Sequence, residues 1–185
     1  MKIDLFSTPV FLRNIDVSLI DLKSEFFEKR WLSNTLSSYA STNKLKNESS
    51  NYLLKIIAET IVDIIPFEAE LELTYMWENR YDENDFQEKH VHVKSHFSFV
   101  IYVSGESSKT VLFAPNEYLI RSLDHDNIFK TTLDIEARPG QILIFPSYLE
   151  HMVKPSTNTV TYSGNIDIKK TGEKYLKVLK AVDET

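Results

Sequence analysis

The sequence contains no cysteine. A chain without thiols has no disulfide staples, no thiolate zinc site and no cysteine nucleophile, so any metal must be held by imidazole, carboxylate or water. An excess of basic residues is missing too: 21 Lys and Arg against 27 Asp and Glu leave a formal charge of −6. Broad, sequence-independent capture of nucleic acid needs many cations to neutralise phosphates, and this balance argues against it. Nowhere does an uncharged apolar run approach the roughly 20 residues needed to cross a bilayer, so no membrane partner is expected. The opening MKIDLFSTPVFLRNID is interrupted by Asp4 and Pro9 and lacks an apolar stretch ending in a small-residue cleavage site. It sets the expectation of a cytoplasmic protein. Repeats, linkers and low-complexity tracts are also lacking. What is there is an ordinary globular composition, 42% hydrophobic and 26% charged over 185 residues, enough chain to bury a core within one domain spanning 1–185.

The first third reads as helical. Asp16 or Ser18 can cap a helix over about 17–31, with Leu19, Leu22, Phe26 and Phe27 at helical spacing. After a polar stretch, Ser49 and Ser50 can cap a second helix carrying Leu53, Leu54, Ile57, Ile61, Ile64 and Ile65, which Pro66 stops. From Glu70 the period falls to two, with Leu71, Leu73, Tyr75 and Trp77 alternating with polar residues as in a half-buried strand. Further strands are expected at about 89–103, 110–114, 132–137, 141–145, 149–153 and 159–168, divided by Gly105, Pro115, Pro139-Gly140, Pro146 and Pro155. The reading is a mainly β domain, a barrel or sandwich, with helical N-terminal support over about 1–66, a core over about 67–170 and a tail over 171–185. Tyr175, Leu176, Leu179 and Val182 suit a final helix, or else a last strand.

The most informative segment is KHVHVKSHFSFVIYVSG. Read as one strand, it sorts by parity into an apolar face of Val91, Val93, Phe97, Phe99, Ile101 and Val103 and a second face of His90, His92, Lys94, His96, Ser98, Val100 and Tyr102. Histidines one residue apart on a strand project from the same side, near enough to ligate one ion. The third ligand is expected from RPGQILIFPSYLEHMVKP, where the Pro139-Gly140 turn, a buried strand and the Pro146-Ser147 turn bring the chain back to present His151. Three protein ligands leave positions open for substrate, dioxygen or water. His96 lies about 13 Å from His92 along an extended strand, at ~3.3 Å per residue, and is expected to line the site without ligating. His125 reads as a surface side chain.

These residues resemble the iron(II)- and 2-oxoglutarate-dependent oxygenase superfamily, in a branch of small phage and bacterial oxygenases related to prolyl hydroxylases. The resemblance runs from LFSTPV through TYMWENRY and HVHVKSHFSFVIYV to PGQILIFPSYLEHMVKP and SGN. It implies a double-stranded β-helix, the jelly-roll or cupin-like barrel, with metal ligands at His90, His92 and His151 and no catalytic side chain beyond them. The implied cofactors are Fe(II), or another divalent metal, and 2-oxoglutarate as cosubstrate. The sequence departs from the family twice. Histidine stands at His92 where the superfamily has an acid, and Thr159 stands where an arginine usually anchors the far carboxylate of 2-oxoglutarate, a strong charge-assisted contact. Lys154, Lys109 and Arg138 are the nearest substitutes, each otherwise a solvated surface charge. Cosubstrate contacts are implied at Asn79, Tyr81, Tyr102 and Thr159, the first two by likeness to the Asn-x-Tyr strand of DNA-alkylation-repair oxygenases. A structural strand end is the alternative role for Asn79 and Tyr81.

Three functions follow. The first is an oxygenase that hydroxylates a substrate at the barrel mouth. The second is a cupin-like metal-binding protein that does not use 2-oxoglutarate, and the third is a non-catalytic binding or assembly module, as of a phage particle, because fold alone does not fix function.

Overall fold

In the computed structural model, the described residues are 7–25, 27–29, 33–41, 45–105, 108–123 and 128–171. His125 and the 172–185 tail lie outside them, as do parts of the 17–31 segment.

Among the described residues, eleven strands and two α-helices follow in the order β1 (Phe11–Asn14), β2 (Glu28–Lys29), β3 (Leu36–Ser41), α1 (Asn47–Ile61), β4 (Ala69–Tyr81), β5 (Asp85–His90), β6 (Phe97–Ser104), β7 (Ser108–Phe113), α2 (Glu117–Leu123), β8 (Thr132–Ala137), β9 (Gln141–Pro146), β10 (His151–Ser156) and β11 (Thr159–Lys170). They form a seven-stranded sheet, β1-β9-β6-β11-β4-β3-β2, and a four-stranded sheet, β5-β10-β7-β8. The strand pairs of both sheets are antiparallel. This is the jelly-roll expected from the sequence. No helix among the described residues is long and apolar enough to cross a membrane.

The large sheet buries both faces. Along β6 and β9 the side chains alternate between two cores, which is why FSFVIYV and ILIF read as nearly continuous apolar runs. Phe97, Phe99, Ile101, Ile142 and Ile144 enter an outer core completed by Leu53, Ile57 and Ile61 of α1. Val100, Tyr102, Leu143 and Phe145 enter an inner core between the sheets with Leu112 and Leu149.

The helix expected over 17–31 is not formed among the described residues of that span. Asp16 does cap, its carboxylate accepting from Ser18 N–H at 3.0 Å, but only a single 3₁₀ turn, Val17–Leu19, follows. Ile20 and Leu22 both enter the outer core and Leu22 bridges to Leu45. Burial two residues apart is an extended spacing, and tertiary pairing overrides a weak helical pattern. The N-terminal support is therefore mixed, α1 together with β1, β2 and β3, which join the large sheet. The second helix is present but begins earlier, at Asn47, with Lys46 as its N-cap. Ser49 accepts from Asp21 N–H and donates to Leu19 O, lashing the preceding chain to α1 instead of capping it. The sheet region also contains one helix that periodicity missed, α2.

Strand β4 holds a bulge. Asn165 pairs with Tyr75 but Ile166 pairs with Leu73, leaving Thr74 as the extra residue, and the Thr74 hydroxyl donates to Asn165 O at 3.2 Å. A bulge re-aims the side chains beyond it. Leu71 and Leu73 pack in the outer core, where Met76 continues the row beyond the bulge, whereas Tyr75, Trp77 and Tyr81 line a cavity on the opposite face. The single alternating face expected for Leu71, Leu73, Tyr75 and Trp77 is split at this point.

Candidate metal centre

The histidine segment is not one strand. β5 ends at His90 and β6 begins at Phe97, and the chain between them turns, with Lys94 at φ 66°. The turn is fastened from three directions: His92 N–H donates to Ser147 O, Ser147 N–H to His96 O, and His96 N–H to Ile166 O. Val91 and Val93, expected on a packing face, instead line the cavity mouth, and Val93 is 73% exposed. The parity reading holds from Phe97 onward, where the strand is continuous.

His90, His92 and His151 nevertheless converge. Their ligating atoms all lie within 4.8 Å of one another. His151 and His90 are direct cross-strand partners on β10 and β5, with ring centroids 4.3 Å apart. His92 arrives from the turn, 4.9 Å from His151 and 5.4 Å from His90. The rings are walled by Phe145 against His151 at 4.8 Å and Trp77 against His92 at 5.2 Å.

The hydrogen bonds fix the protons. Nδ1 of His90 lies 2.6 Å from Glu88 O, and Nδ1 of His151 lies 2.9 Å from Leu149 O, the carbonyl two residues back in each case. A carbonyl only accepts, so each Nδ1 carries the proton and each Nε2 keeps its lone pair. His92 Nδ1 lies 2.7 Å from Asn165 Oδ1 and 2.9 Å from Ser98 Oγ. Burial holds all three imidazoles neutral. It lowers the pKa of His90, pushes that of His92 down to about 4 with help from the neighbouring His90, and lowers that of His151 well below the ordinary value, with His90 and His92 adding to the effect. Three neutral rings, with the Nε2 lone pair free on His90 and His151, form a donor set suited to one divalent ion.

The triad opens on a cavity of about 480 Å³ that follows β4 from Tyr75 at the mouth to Tyr81 at depth. The outer part is apolar and aromatic, with Tyr75, Trp77, Val91 and Val93; the inner part presents Thr110, Thr161, Ser163 and Gln87. Among the described residues lining it there is no lysine, arginine or carboxylate. Of the four implied cosubstrate contacts, Tyr81 lines the cavity, and burial raises its pKa so that the phenol stays a donor. Tyr102 stands behind the wall, its hydroxyl 2.8 Å from Thr110 Oγ1. Asn79 is fully engaged in the wall, accepting from Ser37 and Gln87 and donating to Thr161 and Ser163. Thr159 is buried, and its hydroxyl donates to Thr157 O. Lys154 and Lys109 are held in surface pairs by Asp134 and Glu136, and Arg138 is exposed. His96 does not line the cavity: its Nδ1 accepts from Ile168 N–H at 3.1 Å on the exposed side of β11. Sequence reasoning missed Asn165 and Ser147 and gave Ser98 no role; SGN and FPS held the first two without any spacing rule to mark them.

Residues 75–162 match the family described as "Putative 2OG-Fe(II) oxygenase". No curated protein matches the sequence. Among solved structures, the chain is similar to an oxidoreductase of the 2OG-Fe(II) oxygenase family from Burkholderia pseudomallei, with 13% identity, 79% of this chain and 73% of that chain covered and a TM-score of 0.58. It is also similar to OsALKBH1, with 9% identity, coverage of 88% and 98% and a TM-score of 0.56. A third likeness is to SnoN, the non-heme alpha ketoglutarate dependent epimerase of nogalamycin biosynthesis, with 11% identity, coverage of 78% and 67% and a TM-score of 0.54. At these identities the structural likeness shows the shared fold.

Proposed function

From the premise that residues 75–162 match the 2OG-Fe(II) oxygenase family, we propose that this protein is a non-haem iron(II)- and 2-oxoglutarate-dependent oxygenase that hydroxylates a substrate admitted at the Tyr75 end of its cavity. One observation carries the reading at the level of this chain: three imidazoles, His151 buried and His90 and His92 half-buried, each offer a ligating nitrogen within 4.8 Å of the others while their Nδ1 atoms lie against oxygen atoms of the protein. His90, His92 and His151 would hold Fe(II). When bound, the ion and 2-oxoglutarate supply the oxidising chemistry, activating dioxygen at the expense of the 2-oxo acid.

The protein's own contribution is binding, orientation and exclusion of water. Phe145 and Trp77 cover the rings of His151 and His92 and limit their rotation. Thr110, Thr161, Ser163 and the Tyr81 phenol offer neutral donors to a carboxylate lying in the inner cavity. The two departures from the family pattern offset each other electrostatically. With three neutral ligands the full charge of the ion faces the cosubstrate, so a dianion is compensated without a cationic side chain in the wall. The apolar mouth around Tyr75, Val91 and Val93 suits the uncharged part of a substrate.

The test is an anaerobic titration of the full chain with Fe(II), then with 2-oxoglutarate. A visible charge-transfer band on the second addition, and succinate formed once oxygen is admitted, are expected. Bound iron with neither band nor succinate overturns the oxygenase reading and leaves a metal-binding barrel that does not use 2-oxoglutarate.

A further inference from the structure

Behind His92 lies a polar chain of which only Asn165 reaches the cavity lining. Ser147 Oγ is 2.8 Å from Ser98 Oγ, Ser98 Oγ donates to Asn165 Oδ1 at 3.0 Å, and the same Oδ1 faces His92 Nδ1 at 2.7 Å. The three residues come from β6, the turn after β9 and β11, and all are buried, Ser98 and Ser147 completely. Burying this many polar atoms is costly unless each is paired. With Ser98 giving its single proton to Asn165 Oδ1, Ser147 is left as the donor to Ser98.

His92 differs in this from its two companions. Backbone carbonyls set the protons of His90 and His151, and a carbonyl cannot be anything but an acceptor. His92 sits in a turn and depends on a side-chain amide, which has an acceptor end and a donor end. If the amide group of Asn165 faced His92 with its NH₂, Nδ1 would have to accept, the proton would move to Nε2 and the ring would no longer offer a lone pair to the cavity. Ser98, whose Oγ is also 2.9 Å from His92 Nδ1, selects the first orientation by giving its proton to Asn165 Oδ1 and receiving from Ser147.

We propose that Asn165, oriented by Ser98 and Ser147, is the positioning residue that holds His92 in the Nδ1–H form with Nε2 free for the metal. This deepens the oxygenase reading and rests on it only for the identity of the ion. The bulge at Thr74 supports the same end, because the Thr74 hydroxyl holds the Asn165 carbonyl and fixes the backbone from which the amide projects. His96 provides an internal contrast: its Nδ1 accepts from Ile168 N–H, so its neutral ring carries the proton on Nε2.

The experiment has two arms, both on the full chain. In the first, ¹⁵N NMR of metal-free protein reads the tautomer of each histidine; His92 is expected as Nδ1–H and His96 as Nε2–H. In the second, Co(II) alone is titrated into wild type, Asn165→Asp and Asn165→Leu. Outer partners of ligating histidines are worth roughly 10- to 100-fold in metal affinity, so Asn165→Leu is expected to lose about that much. Asn165→Asp, which can only accept, is expected to bind at least as tightly as wild type, a rescue that a merely space-filling role does not give. Should Asn165→Leu fail to fold, the wild-type tautomer and the Asp variant still decide. Nε2–H at His92, or a large loss of affinity in Asn165→Asp, overturns the proposal. Failure of 2-oxoglutarate to bind would leave both arms intact and count against the oxygenase reading alone.

Discussion

The two faces of the large sheet are built from the same strands but to different rules. Against α1, Phe99, Ile101, Ile142, Ile144 and Ile166 meet Leu53, Ile57 and Ile61 in a fully apolar core. Toward the small sheet, β6 and β9 continue that rule with Val100, Leu143 and Phe145, but β11 turns Thr159, Thr161, Ser163 and Asn165 inward, and polar residues of β4 and β6 join them. A face closed with apolar atoms gains stability from burial in proportion to area. A face closed with hydroxyls and amides gains little, because each hydrogen bond replaces one made to water. The lesson is a division of labour across a layer one side chain thick: the outer face holds the fold, and the inner face holds imidazoles in fixed orientation around a cavity.

The comparison can be broken most severely at the inner face. His151→Ala removes a ligand outright, and metal affinity measured by calorimetry is expected to fall by more than about 100-fold, beyond the 10–100-fold cost of losing an outer partner. Its denaturation midpoint without metal is expected to change far less than that of an outer-core variant. The reciprocal change is Ile57→Ala, buried against the outer face. It is expected to cost about 2–5 kcal/mol in urea unfolding while leaving the metal affinity of the folded fraction unaltered. Gly164→Ala probes the seam between the faces, since an added Cβ would stand 2.3 Å from Phe99 Cζ and 2.8 Å from the Tyr75 carbonyl. Overpacking of about 1–3 kcal/mol is expected, together with weaker metal binding, because Tyr75 lines the cavity mouth.

The smallest effect separates the faces by pH. In the metal-free protein the triad titrates below its unfolded value of about 6.5, with His92 at about 4. A depressed folded pKa means that the unfolded chain takes up the protons first, so stability present at pH 7 declines as pH falls from about 6.5 toward 4. Urea midpoints are expected to drop over that window in wild type and to drop less in a variant with Gln at all three positions. An equal pH slope in both would show that the inner face carries no such strain.

Much of this was legible in the residues. The runs FSFVIYV and ILIF announced strands buried on both sides, and the turn signals Pro139-Gly140 and Pro146 bounded β9 correctly. His90, His92 and His151 were found because imidazoles are few and their order along the chain was suggestive. The break at 91–96 was marked only by Ser95, the one interruption of the apolar face, while Lys94 takes a left-handed conformation with no glycine to signal it. The supposed helix after Asp16 failed because short apolar spacing in that segment is decided by the sheet it joins. Asn165 was invisible for a different reason: its role depends on which strand lies beside it, and β11 meets β6 and the Ser147 turn only in three dimensions.

The extra residue at Thr74 carries one further consequence. Upstream of it the odd positions of β4 answer to folding, and downstream they answer to ligand, so the strand is two half-periods spliced out of step. Straightening the strand with Thr74 retained would bring Tyr75 and Trp77 back into phase with Leu73 and turn the aromatic wall toward α1, whereas deleting Thr74 would leave Leu73 and Tyr75 on opposite faces of a regular ladder. What separates the oily from the wet half of this strand is therefore a matter of counting along the backbone, and the cavity depends on where the surplus residue is accommodated as much as on the side chains of its walls.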